Sequence, residues 1–486
     1  MPYLPIDTGY YVSSAKPIAD QVLMNWYLDY PETQTMTPAQ WLPTPGLKQL
    51  FNTGDDEINR GAIVVNGVPY FVNGQKLYKM ERTFTPLGAE IINMVLIGAI
   101  AGESMVSIAT NGDQIVIVVP AAQSYVYTIA TNALTQITSP AFLSLGPSVK
   151  VSYIDGYFVH VSVDGKTAFN SALNDGLSYN ALDFAEAESD PDGLVSNHTF
   201  NGKLFLVGQT TTEVYVNSGA LNFPFQRSYV ISVGCVARNS FANFGTTFAF
   251  IGQDIGGQPA VYAFDGNQFQ RISNGSIDSI LQRTSPEDLS AAFAFSYSQD
   301  GAIFYGFSTK NNTFVYDARA SQNKGSSVWH ARESYGLDRK KRWRVNSVIN
   351  AYGRYLVGDS ERGIIGDMRI DTFDEYGVKI RRTGIAGPFK DASGPLFWRK
   401  LEIMIDAGQG DLVTSNPVIR MSYSDDGGRN WSYEISREIG SAGEYSRQAT
   451  WYQLGRSLNS RMFKFECSEP VRCVVIGLIG DVYGNT

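Results

Sequence analysis

A glycine-bearing turn followed by a strand of aromatic or β-branched residues recurs along most of this chain, and its spacing restricts the fold more than any other feature. The first copy reads Val64-Val65-Asn66-Gly67-Val68-Pro69-Tyr70-Phe71-Val72-Asn73-Gly74. Asn111-Gly112 precedes the apolar run 114–118, Asp155-Gly156 precedes 157–160, and Asn201-Gly202 precedes 204–208. Less regular copies are 248–252 followed by 261–266, Asp300-Gly301 before 303–305, and Tyr352-Gly353 before 355–358. The glycines at 67, 112, 156, 202, 252, 301 and 353 are separated by 45, 44, 46, 50, 49 and 52 residues. Four short strands and their turns fill about 40–50 residues, the length of one β-propeller blade. Asn-Gly and Asp-Gly suit the tight hairpins in which both central residues need positive φ. The spacing predicts an all-β chain built on a β-propeller of six or seven blades. The number stays open because one unit can lie outside the ring and the N-terminal segment can close a blade.

With 486 residues the chain is long enough for more than one domain, and 43% hydrophobic and 13% aromatic content suits half-buried strands between tight turns. Residues 1–60 lack the repeat and carry Pro31, Pro43 and Pro45, so they read as an extended segment packing on the propeller. The propeller is expected over 61–370. Beyond it, alternating segments at 397–405, 418–423, 450–454 and 461–467 predict a β-sandwich-like domain over 371–486. The stretch 285–294, opening Ser285-Pro286-Glu287-Asp288, reads as a short helix. The longest apolar run, 91–101, is too short for a membrane span and reads as a buried strand. Ser424-Asp425-Asp426-Gly427-Gly428-Arg429-Asn430-Trp431 has the Asp-box pattern, with Ser424, Asp426, Gly428 and Trp431 at its defining positions. A single such hairpin is structural, because it brings no pair of catalytic carboxylates with it.

Catalytic chemistry finds no foothold. His160, His198 and His330 stand far apart, outside any HxxxH or HExxH arrangement, and read as structural. Cys235, Cys467 and Cys473 are too few for a disulfide framework or a paired CxxC site and read as buried free thiols. No nucleophile elbow or phosphate loop occurs, so no catalytic, cofactor or metal site is expected. A net charge of −8 argues against a protein whose main task is neutralising phosphates. The acidic stretch Glu186-Ala187-Glu188-Ser189-Asp190-Pro191-Asp192-Gly193 departs from the calcium-loop pattern and reads as a turn. The one concentrated basic run is Arg339, Lys340, Lys341, Arg342, Trp343 and Arg344. It reads as a solvated loop or as a contact with an acidic neighbour or DNA, with Trp343 available for stacking. The start Met1-Pro2-Tyr3-Leu4-Pro5 lacks the features of a secretory signal, so synthesis in a cytoplasm is expected.

Several segments resemble, in order along the chain, the packaged-DNA stabilisation or tail hub proteins of Salmonella-type short-tailed phages. The similarity is carried by Asn25, Tyr27 and Pro31, by Thr44-Pro45-Gly46-Leu47, and by Glu188, Pro191 and Asp192 in the acidic stretch. It continues through Gly208, Glu213 and Tyr215, then Tyr316-Asp317, and the C-terminal run from Arg420 to Phe465. The resemblance implies a structural, non-enzymatic virion protein, made in the host bacterial cytoplasm, that completes the head and builds the tail. It implies a homo-hexamer below the portal and its adaptor protein, with contacts to the tail needle or plug and the tailspikes. Genomic DNA would pass through its lumen without sequence-specific binding. The alternative is a propeller-based tail protein that binds or hydrolyses carbohydrate.

Overall fold

The structure, a computed structural model, describes residues 3–13, 20–31, 37–186, 193–335, 342–390, 394–410 and 414–484. Seven antiparallel blades follow one another. Blade one comprises Asn59–Val65, Val68–Asn73, Lys76–Phe84 and Glu90–Ala99. Blade two runs from Ser107–Thr110 to Ala133–Gln136, blade three from Ser148–Ile154 to Asp175–Glu186, and blade four from Leu194–Phe200 to Phe225–Ile231. In blade five two short segments, Val233–Cys235 and Ala242–Phe244, share the edge of Thr247–Asp254. Blade six runs from Phe293–Gln299 to Trp329–Arg332. Blade seven takes three strands from the end of the repeat, Val345–Ala351, Arg354–Asp359 and Ile364–Arg369, and its fourth, Gly46–Asn52, from the N-terminal segment. The ring is therefore closed by residues far apart in sequence.

The turn chemistry explains the repeat. Asn66-Gly67, Asp155-Gly156, Asn201-Gly202, Asp300-Gly301 and Tyr352-Gly353 all hold positive φ at both positions, the requirement of a two-residue hairpin. Each joins the first and second strands of its blade. Gly252 does not: it lies inside Thr247–Asp254, and the equivalent turn in blade five is made at Gly245, with φ of +54°. The excursion between the two short segments of that blade displaces the turn from the register its sequence imitates.

Seven apolar clusters account for the propeller core, one between each pair of adjacent blades. The second strand of each blade is buried on both faces, so alternate residues serve different clusters. Ile115 and Ile117 pack toward blade one, Val116 and Val118 toward blade three. Leu204 and Leu206 likewise serve blade three, while Phe205 and Val207 serve blade five. This two-faced burial produces continuous apolar runs rather than polar-apolar alternation. The last strand of a blade has no such cover. Glu90–Ala99 forms a strand where a buried one was expected, but it is the outermost strand of blade one, with Leu96 55% and Ile91 and Val95 each 41% exposed.

The C-terminal region is a two-sheet sandwich. One sheet orders Ala449–Ser457, Leu396–Ile405, Val475–Gly484, Gln40–Pro43 and Trp26–Asp29, with Tyr3–Leu4 also on Val475–Gly484. The other contains Arg382–Phe389, Arg461–Cys467, Val418–Ser424 and Ile435–Glu438. Trp26, Trp41, Trp398 and Trp451 fill the space between them, each with its indole N–H donated to a partner: Cys473 O, Ile6 O, Ser457 Oγ and Ile435 O. Satisfying that donor is what allows so large a side chain to be buried completely. The N-terminal segment thus does more than lie on the propeller. Proline-limited strands of two to seven residues supply missing edges to the sandwich and to blade seven.

Helices are minor. The expected helix at 285–294 shortens to Pro286–Ser290, capped by Ser285 Oγ, because Phe293 already begins blade six. The longer helix Gly275–Arg283 was not expected. Asn274 caps it by accepting from the N–H groups of Ser276 and Ile277, and Ile277 and Leu281 form its buried face.

Candidate assembly surfaces and the junction between domains

The dipeptide Leu23–Met24 joins the two domains. It pairs in parallel with Ala331 of blade six and antiparallel with Thr383 and Gly384 of the sandwich. A nine-stranded sheet consequently runs without interruption from blade six through this bridge to Ile435–Glu438. Asn25 follows at φ +55° and is buried. Its Nδ2 donates to the carbonyls of Glu333, at 2.9 Å, and Arg381, at 2.8 Å, and its Oδ1 accepts from the Glu333 N–H. Asparagine tolerates the left-handed region better than other side chains and also carries both donor and acceptor. An Arg381–Glu333 ion pair at 2.6 Å spans the same seam.

Other residues carrying the resemblance have structural explanations. The Tyr27 hydroxyl reaches Asp300 Oδ2 at 3.3 Å while its ring packs edge-on to Phe304. Pro45 offers its carbonyl to Arg332 Nη2 at 2.8 Å. A side chain on Gly46 would place its Cβ 2.4 Å from the Thr372 carbonyl oxygen, so the strand that closes the ring must start with glycine. The Gly208 N–H donates to Thr211 O in the turn that follows its strand. Glu213 is buried and accepts from the Tyr215 hydroxyl at 2.6 Å and Arg227 Nη1 at 3.2 Å. Asp317 caps the helix Ala318–Lys324 through the Ala320 N–H, and burial raises its carboxyl to about 7. Tyr316 packs on Trp329, and Pro31 is half-buried. Glu188, Pro191 and Asp192 lie outside the described residues.

The basic run divides. Arg339, Lys340 and Lys341 lie outside the described residues. Trp343 and Arg344, expected as contact residues, are instead buried in the chain itself. The Trp343 indole donates to Glu375 Oε1 at 2.8 Å, and the Arg332 guanidinium lies 3.6 Å from its ring centroid, so one face is already stacked. Arg344 pairs with Asp359 and covers the Tyr376 ring. Arg342 is half-buried, bonded to Asn346 and stacked on Phe293. Charge density along the sequence could not reveal this, because Asp359 and Glu375 approach only after blade seven has formed. The signal that was available is Arg332, in a strand buried on both faces after the aromatic run of blade six.

In the Asp-box, Asp426 Oδ1 accepts from the Arg429 and Asn430 N–H groups at 3.0 and 2.9 Å, while the Gly428 N–H reaches Ser424 Oγ. These bonds, led by that from Asn430, hold the carboxyl down at about 2. Trp431 is half-buried below the turn, 5.3 Å from Lys464 Nζ. Asp425 binds the buried Arg461 through both oxygens. Ser424 and Asp426 thus serve the hairpin, while Asp425 ties it to the strand Arg461–Cys467.

The histidines are embedded in blades. His160 bridges Ser148 and Tyr179, His198 meets Asn243, and burial lowers them to about 3 and about 4. His330 is buried between Tyr27 and Phe304, with neither ring nitrogen partnered among the described residues. The three cysteines are buried and free. Among the described residues no group of three or more His, Cys, Asp or Glu is placed to hold a metal ion, and no helix is long and apolar enough to cross a membrane. The exposed apolar surface gathers on outer strands and tips: Phe84, Leu87, Ile91, Val95 and Leu96 of blade one, with Leu182 of blade three.

Comparison with known proteins gives a consistent match. A family model described as bacteriophage P22 Gp10, beta-propeller, matches residues 2–373, and a second, bacteriophage P22 Gp10, beta-sandwich, matches residues 386–479. The tail hub protein gp10 of Salmonella phage P22 is 22% identical over 275 residues, 56% of either chain, so the match spans about half the length of that curated relative. Among solved structures, the WD40 beta propeller domain of Doa1 has a TM-score of 0.41 at 11% identity, covering 66% of this chain and 96% of its own. The computationally designed Ika8 protein has a TM-score of 0.37 at 10% identity, covering 67% and 100%.

Proposed function

Because this chain belongs to the bacteriophage P22 Gp10 family, we propose that it is a structural tail hub protein in the virion of a short-tailed phage, without enzymatic activity of its own. The observation that carries this reading is the nine-stranded sheet through Leu23–Met24. A hub between head and distal tail has to hold its neighbours at fixed separation. A propeller and a sandwich sharing one hydrogen-bonded sheet behave as a single stiff piece, whereas domains on a linker would swing.

In this reading the protein assembles as a homo-hexamer below the portal and adaptor protein, retains packaged DNA, and carries the tail needle or plug and the tailspikes. The apolar outer strand Glu90–Ala99 supports a role in subunit contact, since exposed apolar patches of this kind mark interaction surfaces. Its unpaired edge offers backbone hydrogen bonds as well. Electron microscopy of particles made without this protein tests the proposal. Heads that fill, lose their DNA and lack a distal tail are expected. Complete, DNA-retaining particles that merely fail to adsorb would overturn it in favour of a receptor-binding role.

A further inference from the structure

The first strands of six blades, with Asn239 and Phe241 between the two short segments of blade five, surround an axial cavity of about 440 Å³, and its wall has an uneven chemistry. Among the described residues that line it there is no Asp or Glu. Lys150 does line it, on the first strand of blade three, and in a chain of net charge −8 its ammonium pairs with no carboxylate among the described residues. Among the described residues its side chain bonds to Asn239 Oδ1 of blade five, at 3.4 Å. That contact leaves Asn239 Nδ2 as a donor. Ser152 lies on the same face of the strand as Lys150, two residues on, and its buried Oγ has no partner. Arg238, beside Asn239, is half-buried and lies outside the cavity lining, but its charge reaches Lys150. Enclosure lowers the Lys150 ammonium to about 8, and the Arg238 charge acts in the same direction.

We propose that the propeller axis is a binding site for a small oxyanion of phosphate size, held by the Lys150 ammonium, Asn239 Nδ2 and the Ser152 hydroxyl. A desolvated ammonium without a counter-charge, beside a second positive charge, is unfavourable, and an anion that bonds to it removes that cost. Three donors from two blades, with no competing carboxylate among the lining residues, match the acceptor-only surface of a tetrahedral oxyanion. A metal cation is repelled by the same wall. The axis of one propeller is also distinct from the lumen of any ring of subunits, so the site stands independently of the assembly reading.

The test is isothermal titration of the full chain with inorganic phosphate at pH 7, alongside thermal unfolding in phosphate, sulfate and chloride at matched ionic strength. Saturable phosphate binding is expected. Because phosphate and sulfate stabilise proteins generally, the variants decide. Lys150→Met should weaken phosphate binding at least ~10-fold, equivalent to about 1.4 kcal/mol, while unfolding no earlier than the parent in chloride. Asn239→Asp, which supplies an internal counter-charge to Lys150, should abolish binding without loss of stability. Absence of saturable binding, or an unchanged phosphate response in both variants, overturns the proposal.

Discussion

The side chain of Asn25 forms a two-way bridge with the backbone of Glu333, donating from Nδ2 to its carbonyl at 2.9 Å and accepting from its N–H at 3.1 Å. The same Nδ2 reaches Arg381 O, so one amide joins the end of blade six to the first residues of the sandwich.

Replacing Asn25 with alanine removes three hydrogen bonds, two of them fully buried, and leaves a side chain at φ +55° that is strained there. At about 1 kcal/mol per bond and roughly 1–2 for the left-handed conformation, a loss of about 4–5 kcal/mol is expected. Asn25→Gly should recover roughly 1 kcal/mol of it by relieving the backbone. Calorimetry checks this, and the unfolding endotherm should split as the propeller and sandwich lose their connection.

Gly46 opens the strand that closes the ring, with the Thr372 and Asp374 carbonyl oxygens where a Cβ would stand. Gly46→Val should destabilise the protein by about 3 kcal/mol or more through overpacking against backbone that cannot yield. Hydrogen exchange should locate the damage: the amides of Ile364–Arg369, paired with Gly46–Asn52, are expected to exchange faster than those of blade three.

Burial raises Asp317 to about 7, so the folded state holds its proton where the unfolded chain does not. Its contribution is complete below the unfolded pKa near ~4 and is lost as pH rises through about 7. An amide in its place keeps the acceptor that caps the helix and has no charge to bury. Asp317→Asn should therefore match the parent near pH 4 and exceed it at pH 8, by up to about 4 kcal/mol. Urea unfolding at the two pH values measures the difference.

Val95 and Leu96 are exposed on the outer strand of blade one, so the double change V95K/L96D should alter monomer stability by under ~0.5 kcal/mol. If this strand is a subunit contact, sedimentation velocity will show the parent associating and the variant shifted toward monomer. Equal association by both would place the contact elsewhere.

The blades were legible because their cause is local. Asn66-Gly67 or Asp155-Gly156 adopts a two-residue turn through the preferences of those residues alone. The central strands were legible for a related reason, since a strand covered on both faces has to be apolar throughout. Blade seven takes its last repeat-derived strand at Ile364–Arg369. Asn25 and Pro45 were identifiable from resemblance, but not the carbonyls and guanidinium they meet. The candidate anion site left no trace, because Lys150 and Asn239 are brought together only across blades three and five.

What the sequence determined by itself was the kind of unit this chain repeats, through turn residues whose backbone needs are met within a single hairpin. Tertiary structure decided the rest. Gly46–Asn52 closes blade seven because that blade has a free edge far along the chain. Trp343 and Arg344 are internal because Glu375 and Asp359 arrive there, and the apolar 91–99 run is exposed because it falls at the rim, where no next blade covers it. A residue's burial depends on which surface finally covers it, and that is a property of the assembled ring rather than of the residue's neighbours in sequence.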